Sequence, residues 1–260
     1  MANKDSVKGT LIVALVLCIV CSVVVSTAAV MLKPKQEANA ALDRKRNVLM
    51  AGGLIDANQH DAKVIEDEFE SVTTKYVDLR TGKFTDEAPV GGSGRAAAKI
   101  PDSSEKLPSD QDTANIIRRE NTKEVYLVEK NGELQRIILP VRGAGLWGQM
   151  YGFLALENDL KTVAGLGFYE HKETPGLGGE VDNPRWKAQW EGKQVFDGEG
   201  SVDISVIKGS VDPGSANAVH QVDGLSGATL TSRGVNNLIN FWLGSEGFGP
   251  FLENLKAGEA

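Results

Sequence analysis

Three scarcities limit what this 260-residue chain can be. Its two cysteines, Cys18 and Cys21, both lie in one apolar run, so the remainder has no cysteine and gives no indication of redox compartment. Basic residues are outnumbered, and the net charge is −7. That balance argues against nucleic acid as a partner, because contact with phosphate backbones needs a clustered basic surface. The third scarcity is local, since residues 9–32 contain no charged side chain.

The uncharged run predicts a membrane anchor. It is dominated by Leu, Ile and Val, and at about 1.5 Å per helical residue it reaches roughly 36 Å, enough to cross a hydrocarbon core of about 30 Å. It is longer than the roughly 7–15 apolar residues of a signal peptide, and small residues at 26–29 form only part of a cleavage site. We therefore favour a retained anchor over residues 1–35, followed by a domain over 36–260, to a cleaved signal peptide.

Helical periodicity recurs at both ends of the remaining chain. It predicts a short helix over residues 38–49, ended by Gly52-Gly53, and a second helix over 62–73. Near the C-terminus, apolar residues from 235 to 243 recur with the helical period. Thr231 or Ser232 is the expected N-cap of this last helix, and Gly244 is its expected stop.

Between these helices the patterns are those of strands. Asn131-Gly132 separates two apolar runs, 125–130 and 133–139, which predicts a tight hairpin. The other predicted elements are a small strand and turn at 76–84, a long surface loop at 91–112, and strands at 150–157, 161–169 and 202–207. Helices enclosing adjacent strands predict one α+β domain with a mostly antiparallel sheet and flanking helices.

Two glycine-rich stretches could contact a ligand. The first, residues 143–148, is rich in glycine like a phosphate loop, but it precedes a predicted strand rather than a helix and fails the context of a dinucleotide fingerprint. The second, residues 169–180, combines charged residues with a Pro-Gly turn and is typical of a solvated loop. His171 stands there between acids, but the helical His pair of zinc enzymes is missing, so we predict no metal site.

A third stretch, residues 223–232, carries one acid and several hydroxyls just before the last helix, and it has three interpretations. Its Ser and Thr could be simple caps. Alternatively, Ser226 could be the nucleophile of a hydrolase elbow, although the plausible bases, His171 and His220, both precede it in the wrong order. Finally, backbone N–H groups of Gly227, Ala228 and Thr229 could bind a phosphate at the positive end of the helix.

The third interpretation is strengthened by a resemblance. Asp223 followed by Ser226-Gly227-Ala228-Thr229 resembles the flavin-attachment motif of the FMN-binding domain family, as do Gly145-Leu146-Trp147 and residues 170–178. Anchored members of that family include the C subunits of Na⁺-translocating NADH:quinone reductases and the G subunits of Rnf-type electron-transport complexes. The similarity to the reductase subunits also extends over the stretch between anchor and hairpin, and the Rnf type is the alternative.

The resemblance implies a cofactor and its neighbours. It implies FMN joined through its phosphate to the Thr229 hydroxyl by a transferase that recognises Asp223, with Ser226, Gly227 and Ala228 around the phosphate. The residues that it places near the isoalloxazine ring are Glu173, Thr174, Leu177 and Gly178, with Lys208 and Trp147 as further neighbours. The flavin would supply the electron-transfer chemistry, so we expect no catalytic acid or base and no metal ligand.

The resemblance also implies a location and partners. It implies a single-pass protein of the bacterial inner membrane with its domain in the periplasm, bound to other subunits of a membrane complex. The flanking charges alone favour the opposite orientation, because two lysines precede the apolar run while five basic residues follow it by position 46.

Overall fold

The computed structural model describes residues 6–56, 58–92 and 94–260, which divide into two units after Arg44. In the first unit, residues 7–44 belong to helix α1, Val7–Ala51. The most apolar 18-residue window of α1 has a mean hydropathy of 2.9, and none of it is buried. By length and composition α1 could cross a membrane. The separate helix predicted at 38–49 is wrong, because α1 continues through Pro34. Residues 33–51 contain no glycine and consist largely of good helix formers.

The second unit consists of short helices around three sheets. Its helices are α2 (Ala62–Phe69), α3 (Gly94–Ala97), α4 (Pro184–Ala188), α5 (Thr229–Leu243) and α6 (Gly249–Ala257). Its strands are β1 (Val72–Asp78), β2 (Lys83–Thr85), β3 (Ser104–Lys106), β4 (Arg118–Glu120), β5 (Thr122–Lys130), β6 (Glu133–Ala144), β7 (Gln149–Glu157), β8 (Val163–Glu170), β9 (Ser205–Val206) and β10 (Gln221–Val222).

The main sheet has the order β2-β1-β5-β6-β7-β8, and every neighbouring pair is antiparallel. The strands β3 and β4 form a small antiparallel pair, and β9 and β10 a parallel one. The predicted α+β class with a mostly antiparallel sheet is confirmed. The predicted hairpin joins β5 to β6, where Asn131 and Gly132 take φ values of 55° and 79°, as a two-residue turn with both central residues left-handed requires.

Three local predictions differ from the structure. The helix predicted over 62–73 ends at Phe69, because residues from Val72 onward pair with β5 as strand β1. Adjacent β-branched residues at 72–74 favour that extended conformation. The loop predicted at 91–112 contains α3 and β3. The strand predicted over 202–207 is reduced to Ser205–Val206, since only those two residues pair with β10.

The sheet is covered on both faces. On one face, Ile138 Cδ1 would lie 2.7 Å from a Cβ added at Gly52, so the end of α1 packs directly on β6. On the other face, a Cβ at Gly143 would lie 2.5 Å from Leu238 Cβ, so α5 packs closely on the same strand. Strand β6 is therefore the middle of the domain, and α5 is fixed along its whole inner side by buried Val235, Leu238, Ile239 and Trp242.

A buried ion cluster also joins the sheet to α5. Glu120 is fully buried and accepts hydrogen bonds from Lys123 Nζ and, at 2.8 Å, from Arg142 Nη2. The Lys123 ammonium lies 3.9 Å from the ring centroid of Trp242, whose Nε1 donates to the Arg142 carbonyl at 2.7 Å. Burial alone would raise the pKa of Glu120, but the charges and hydrogen bonds of Lys123 and Arg142 lower it from 4.5 to about 2.

Candidate functional site

Helix α5 begins at Thr229, earlier than the predicted cap implied. Its N-cap is Ala228, and no side chain caps it. The prediction of Thr231 or Ser232 as N-cap is therefore wrong. Both residues lie inside the first turn and are buried, with the Thr231 hydroxyl donating to Glu173 Oε2. The Ser232 hydroxyl donates to the Ala228 carbonyl at 3.1 Å and accepts from the Leu225 amide at 2.9 Å.

Thr229 is different from these neighbours. It is exposed, and its hydroxyl has no hydrogen-bond partner among the residues that the structure describes. Ser226 and Gly227 before it are exposed as well, and Gly227 has a φ of 72°, a conformation that glycine adopts without strain. The turn into α5 thus presents the Thr229 side chain to solvent at the positive end of a 15-residue helix.

Glu173 lies in the charged loop (residues 169–180) and hydrogen-bonds to the other two candidate stretches, the glycine-rich turn (residues 143–148) and residues 223–232. Its side chain is only 5% exposed, and Oε1 accepts from the Trp147 amide at 3.0 Å while Oε2 accepts from Thr231. Gly145 and Gly178 leave room for it, since an added Cβ would lie 2.5 Å and 2.7 Å from its two carboxylate oxygens. One buried carboxylate therefore connects the glycine-rich turn, the charged loop and α5.

In the charged loop, the His171 side chain is also held in place by two hydrogen bonds. Its Nδ1 accepts from the Glu173 amide at 3.1 Å, so Nε2 carries the proton in the neutral ring and donates to Asp182 Oδ2 at 2.8 Å. His220 is used elsewhere, with Nδ1 2.8 Å from the Gln194 carbonyl. Neither histidine hydrogen-bonds to Ser226 among the described residues, and this geometry argues against the serine hydrolase interpretation.

Large apolar side chains remain exposed around the start of α5. They are Leu146 (46% exposed), Trp147 (63%), Leu177 (45%) and Leu230 (52%). Leu177 Cδ2 would lie 3.0 Å from a Cβ at Gly227, and the Trp147 backbone is tied to Thr231 through Glu173. Several apolar surfaces close to one exposed hydroxyl are suited to a flat aromatic ligand.

A cleft of about 300 Å³ borders Thr229. It is lined by Val206, Ile207, Lys208, Gly209, Gly224, Leu225, Thr229, Ser232, Arg233 and Asn236. Of the predicted neighbours, Lys208 lines the same cleft as Thr229. Arg233 was not among the predicted residues, although its position four residues after Thr229 on a helix places both on one face.

Asp223 stabilises the loop that leads into this turn through hydrogen bonds of its side chain and its carbonyl. Its Oδ1 accepts from the Val211 amide at 2.7 Å and its Oδ2 from Gln189 Nε2 at 3.1 Å, while its carbonyl accepts from Trp186 Nε1 at 2.8 Å. These bonds fix the loop that forms one wall of the cleft. Recognition of Asp223 by a transferase stays a prediction.

Known proteins resemble this chain in sequence and in fold. The FMN-binding domain family matches residues 145–244, a range that contains the glycine-rich turn from Gly145, the charged loop, Lys208 and all of α5. The fold and the site thus define an FMN-binding domain.

Full-length relatives are more specific. The chain is 56% identical to the Na(+)-translocating NADH-quinone reductase C subunit of Pseudomonas aeruginosa over 100% of both chains. It is 49% identical to the C subunit of Vibrio parahaemolyticus over 99% of this chain and 98% of the relative. The chain belongs to the family of Na(+)-translocating NADH-quinone reductase C subunits, and it is a component of an oxidoreductase. These matches do not favour the alternative of an Rnf G subunit.

Two solved structures agree with the fold. The crystal structure of Shewanella oneidensis NqrC aligns with a TM-score of 0.74 at 39% identity, covering 83% of this chain and 97% of that one. The C subunit from Parabacteroides distasonis aligns with a TM-score of 0.63 at 24% identity, covering 85% and 96%, and shows the fold alone.

Proposed function

We propose that the chain is a membrane-anchored electron carrier whose FMN is joined through its phosphate to Thr229 Oγ1. One observation supports this above others. Among the three hydroxyls at the start of α5, those of Thr231 and Ser232 are buried and hydrogen-bonded, whereas Thr229 is exposed beside a cleft that contains two cations. The residues present fit FMN, because they combine an accessible hydroxyl, positive charge for a phosphate and exposed apolar side chains for a ring.

Attachment at Thr229 is a phosphoryl transfer without a redox change. The threonine oxygen forms a bond to phosphorus, the bond between phosphorus and the leaving group of an activated flavin phosphate breaks, and a base of the transferase takes the hydroxyl proton. Ser226, Gly227 and Ala228 surround the phosphate in this proposal. Their small size and the amides of the uncapped helix start allow its oxygens to approach the backbone closely.

The isoalloxazine ring, in this proposal, lies against Leu177 and Trp147. Both side chains are exposed and apolar, and their loops are held near α5. Thr174 is exposed and Gly178 buried in the same loop, and Lys208 lines the cleft that borders Thr229. Glu173 acts indirectly here, because its carboxylate is buried and already bonded to Trp147 and Thr231. It supports the loop that faces the ring.

A covalent link has a physical advantage for such a carrier. Occupancy of a reversible site depends on the free ligand concentration relative to Kd, and a phosphoester removes that dependence. The ring can then stay partly exposed for electron exchange with other subunits. The flavin supplies the redox chemistry, and this chain positions it.

Fluorescence of the purified chain after denaturing electrophoresis tests the proposal. We expect a flavin band under ultraviolet light at the mass of the full chain when it is produced with the transferase, because only covalent flavin remains after denaturation. A chain produced without the transferase is the control and should give a dark band. A dark band in both samples would contradict covalent attachment.

The anchor and the periplasmic side are also part of the proposal. Residues 1–35 would cross the inner membrane once and hold residues 36–260 in the periplasm. Helix α1 has the apolar length that such a crossing requires. We expect an alkaline phosphatase fused after Ala260 to be active, and a fusion of a cytoplasmic fluorescent reporter at the same point to be dark. The reverse pair of results would place the domain in the cytoplasm, as the flanking charges favour.

A further inference from the structure

The cleft beside Thr229 has an unusual balance of charge. The chain as a whole carries a net charge of −7, yet the residues lining this cleft include two cations, Lys208 and Arg233, and no Asp or Glu. A small space with cations and no acid is positive relative to its surroundings, and such a space attracts anions.

Of the two cations, Arg233 is the one whose position relative to Thr229 is set by helix α5. It stands four residues later on the same helix, so the two side chains project from one face and line the same cleft. The Arg233 guanidinium has no hydrogen-bond or ion-pair partner among the described residues. By contrast, Arg80, Arg95 and Arg142 each contact a carboxylate.

Other polar groups of the cleft are already engaged. The Ser232 hydroxyl both donates and accepts within the turn, and the side-chain oxygen Oδ1 of Asn236 accepts from the Val206 amide at 3.0 Å. A phosphodiester at Thr229 would bring one negative charge and two non-bridging oxygens to this place. A guanidinium matches two such oxygens with two parallel N–H donors, which an ammonium cannot do.

We infer that Arg233 binds the phosphodiester that joins the flavin to Thr229. This contact fixes the side of α5 from which the flavin extends. This rests on the proposed function and adds to it a positioning residue outside the attachment motif. The cleft then holds the anionic part of the cofactor, and the exposed apolar side chains around Leu177 are left for the ring.

Phosphorus NMR of the flavin-loaded full-length chain in detergent tests the inference. In an Arg233→Gln variant we expect the phosphodiester resonance to shift, because a charged donor next to phosphorus is lost. Arg185→Gln is the matched control, since Arg185 is exposed, lies on α4 and does not line the cleft. Its resonance should coincide with that of the unaltered chain. A phosphodiester resonance that is unchanged in Arg233→Gln would overturn the inference.

A second measurement needs no covalent loading. In a Thr229→Ala chain, free FMN should bind about tenfold more tightly than riboflavin, which lacks the phosphate, because a charged hydrogen bond contributes about that factor. Adding Arg233→Gln should abolish this preference, whereas adding Arg185→Gln should not. Equal binding of FMN and riboflavin to the Thr229→Ala chain would overturn the inference. The proposed function fails separately, when Thr229→Ala still carries covalent flavin.

Discussion

A Thr229→Ala chain produced together with the flavin transferase is expected to have the intact mass of the bare polypeptide and to be colourless after denaturation. The reason is that alanine removes the one exposed hydroxyl in the first turn of α5. The hydroxyls of Thr231 and Ser232 cannot replace it without opening the turn, since both are buried and engaged in hydrogen bonds. We expect a complete loss of covalent flavin rather than a partial one.

Two matched variants separate the hydroxyl from its surroundings. Thr229→Ser keeps the nucleophilic oxygen and should still be loaded. Ser245→Ala removes an exposed hydroxyl outside the attachment motif and should retain covalent flavin. Covalent flavin in Thr229→Ala would refute the attachment site, and peptide mass spectrometry would then identify the residue that carries it.

Local chemistry explains which parts of the fold could be predicted. The Asn131-Gly132 hairpin follows from two residues that tolerate left-handed φ, and α5 follows from the recurrence of Val235, Leu238 and Trp242. Gly244 ends that helix as expected. These signals depend on neighbours within a few residues, and sequence shows such neighbours directly.

Contacts between distant residues explain what could not be predicted. No local pattern indicates that the Glu173 carboxylate bonds to Thr231, 58 residues away, or that its side chain is buried. Its place near the ring stays a prediction. The early start of α5 has the same origin, because Thr231 is satisfied by Glu173 and does not cap the helix. Arg233 differs from these, because it was not among the predicted residues although its helical spacing from Thr229 is a local signal that indicates it.

The buried cluster around Glu120 also depends on contacts between residues that are distant in the sequence. Its removal should have the largest effect on stability. In Glu120→Gln, the carboxylate between the buried Lys123 and Arg142 loses its charge. Breaking a buried ion pair by removing one partner costs about 3–5 kcal/mol, because a desolvated charge is left uncompensated. We expect a loss of that size in the free energy of unfolding of the full-length chain in detergent, measured with denaturant at neutral pH.

The control is an exposed acid. Glu66 pairs with Lys45 at the surface, and Glu66→Gln should cost less than about 1 kcal/mol, because water screens exposed pairs. Equal losses in the two variants would show that burial of Glu120 does not determine its contribution.

The pH dependence of unfolding gives an independent measure of the same cluster. The pKa of Glu120 is lowered from 4.5 to about 2 in the folded chain, so its contribution to stability is complete above pH 4.5 and is lost as the pH falls toward 2. The unaltered chain should therefore lose stability steeply across that interval, and Glu120→Gln should lose less. Because Trp242 of α5 contacts both Lys123 and Arg142, acid should also release the helix that carries Thr229. Indole fluorescence recorded during the same titration should change with the loss of stability, and an acid profile identical in the two chains would rule out this role for Glu120.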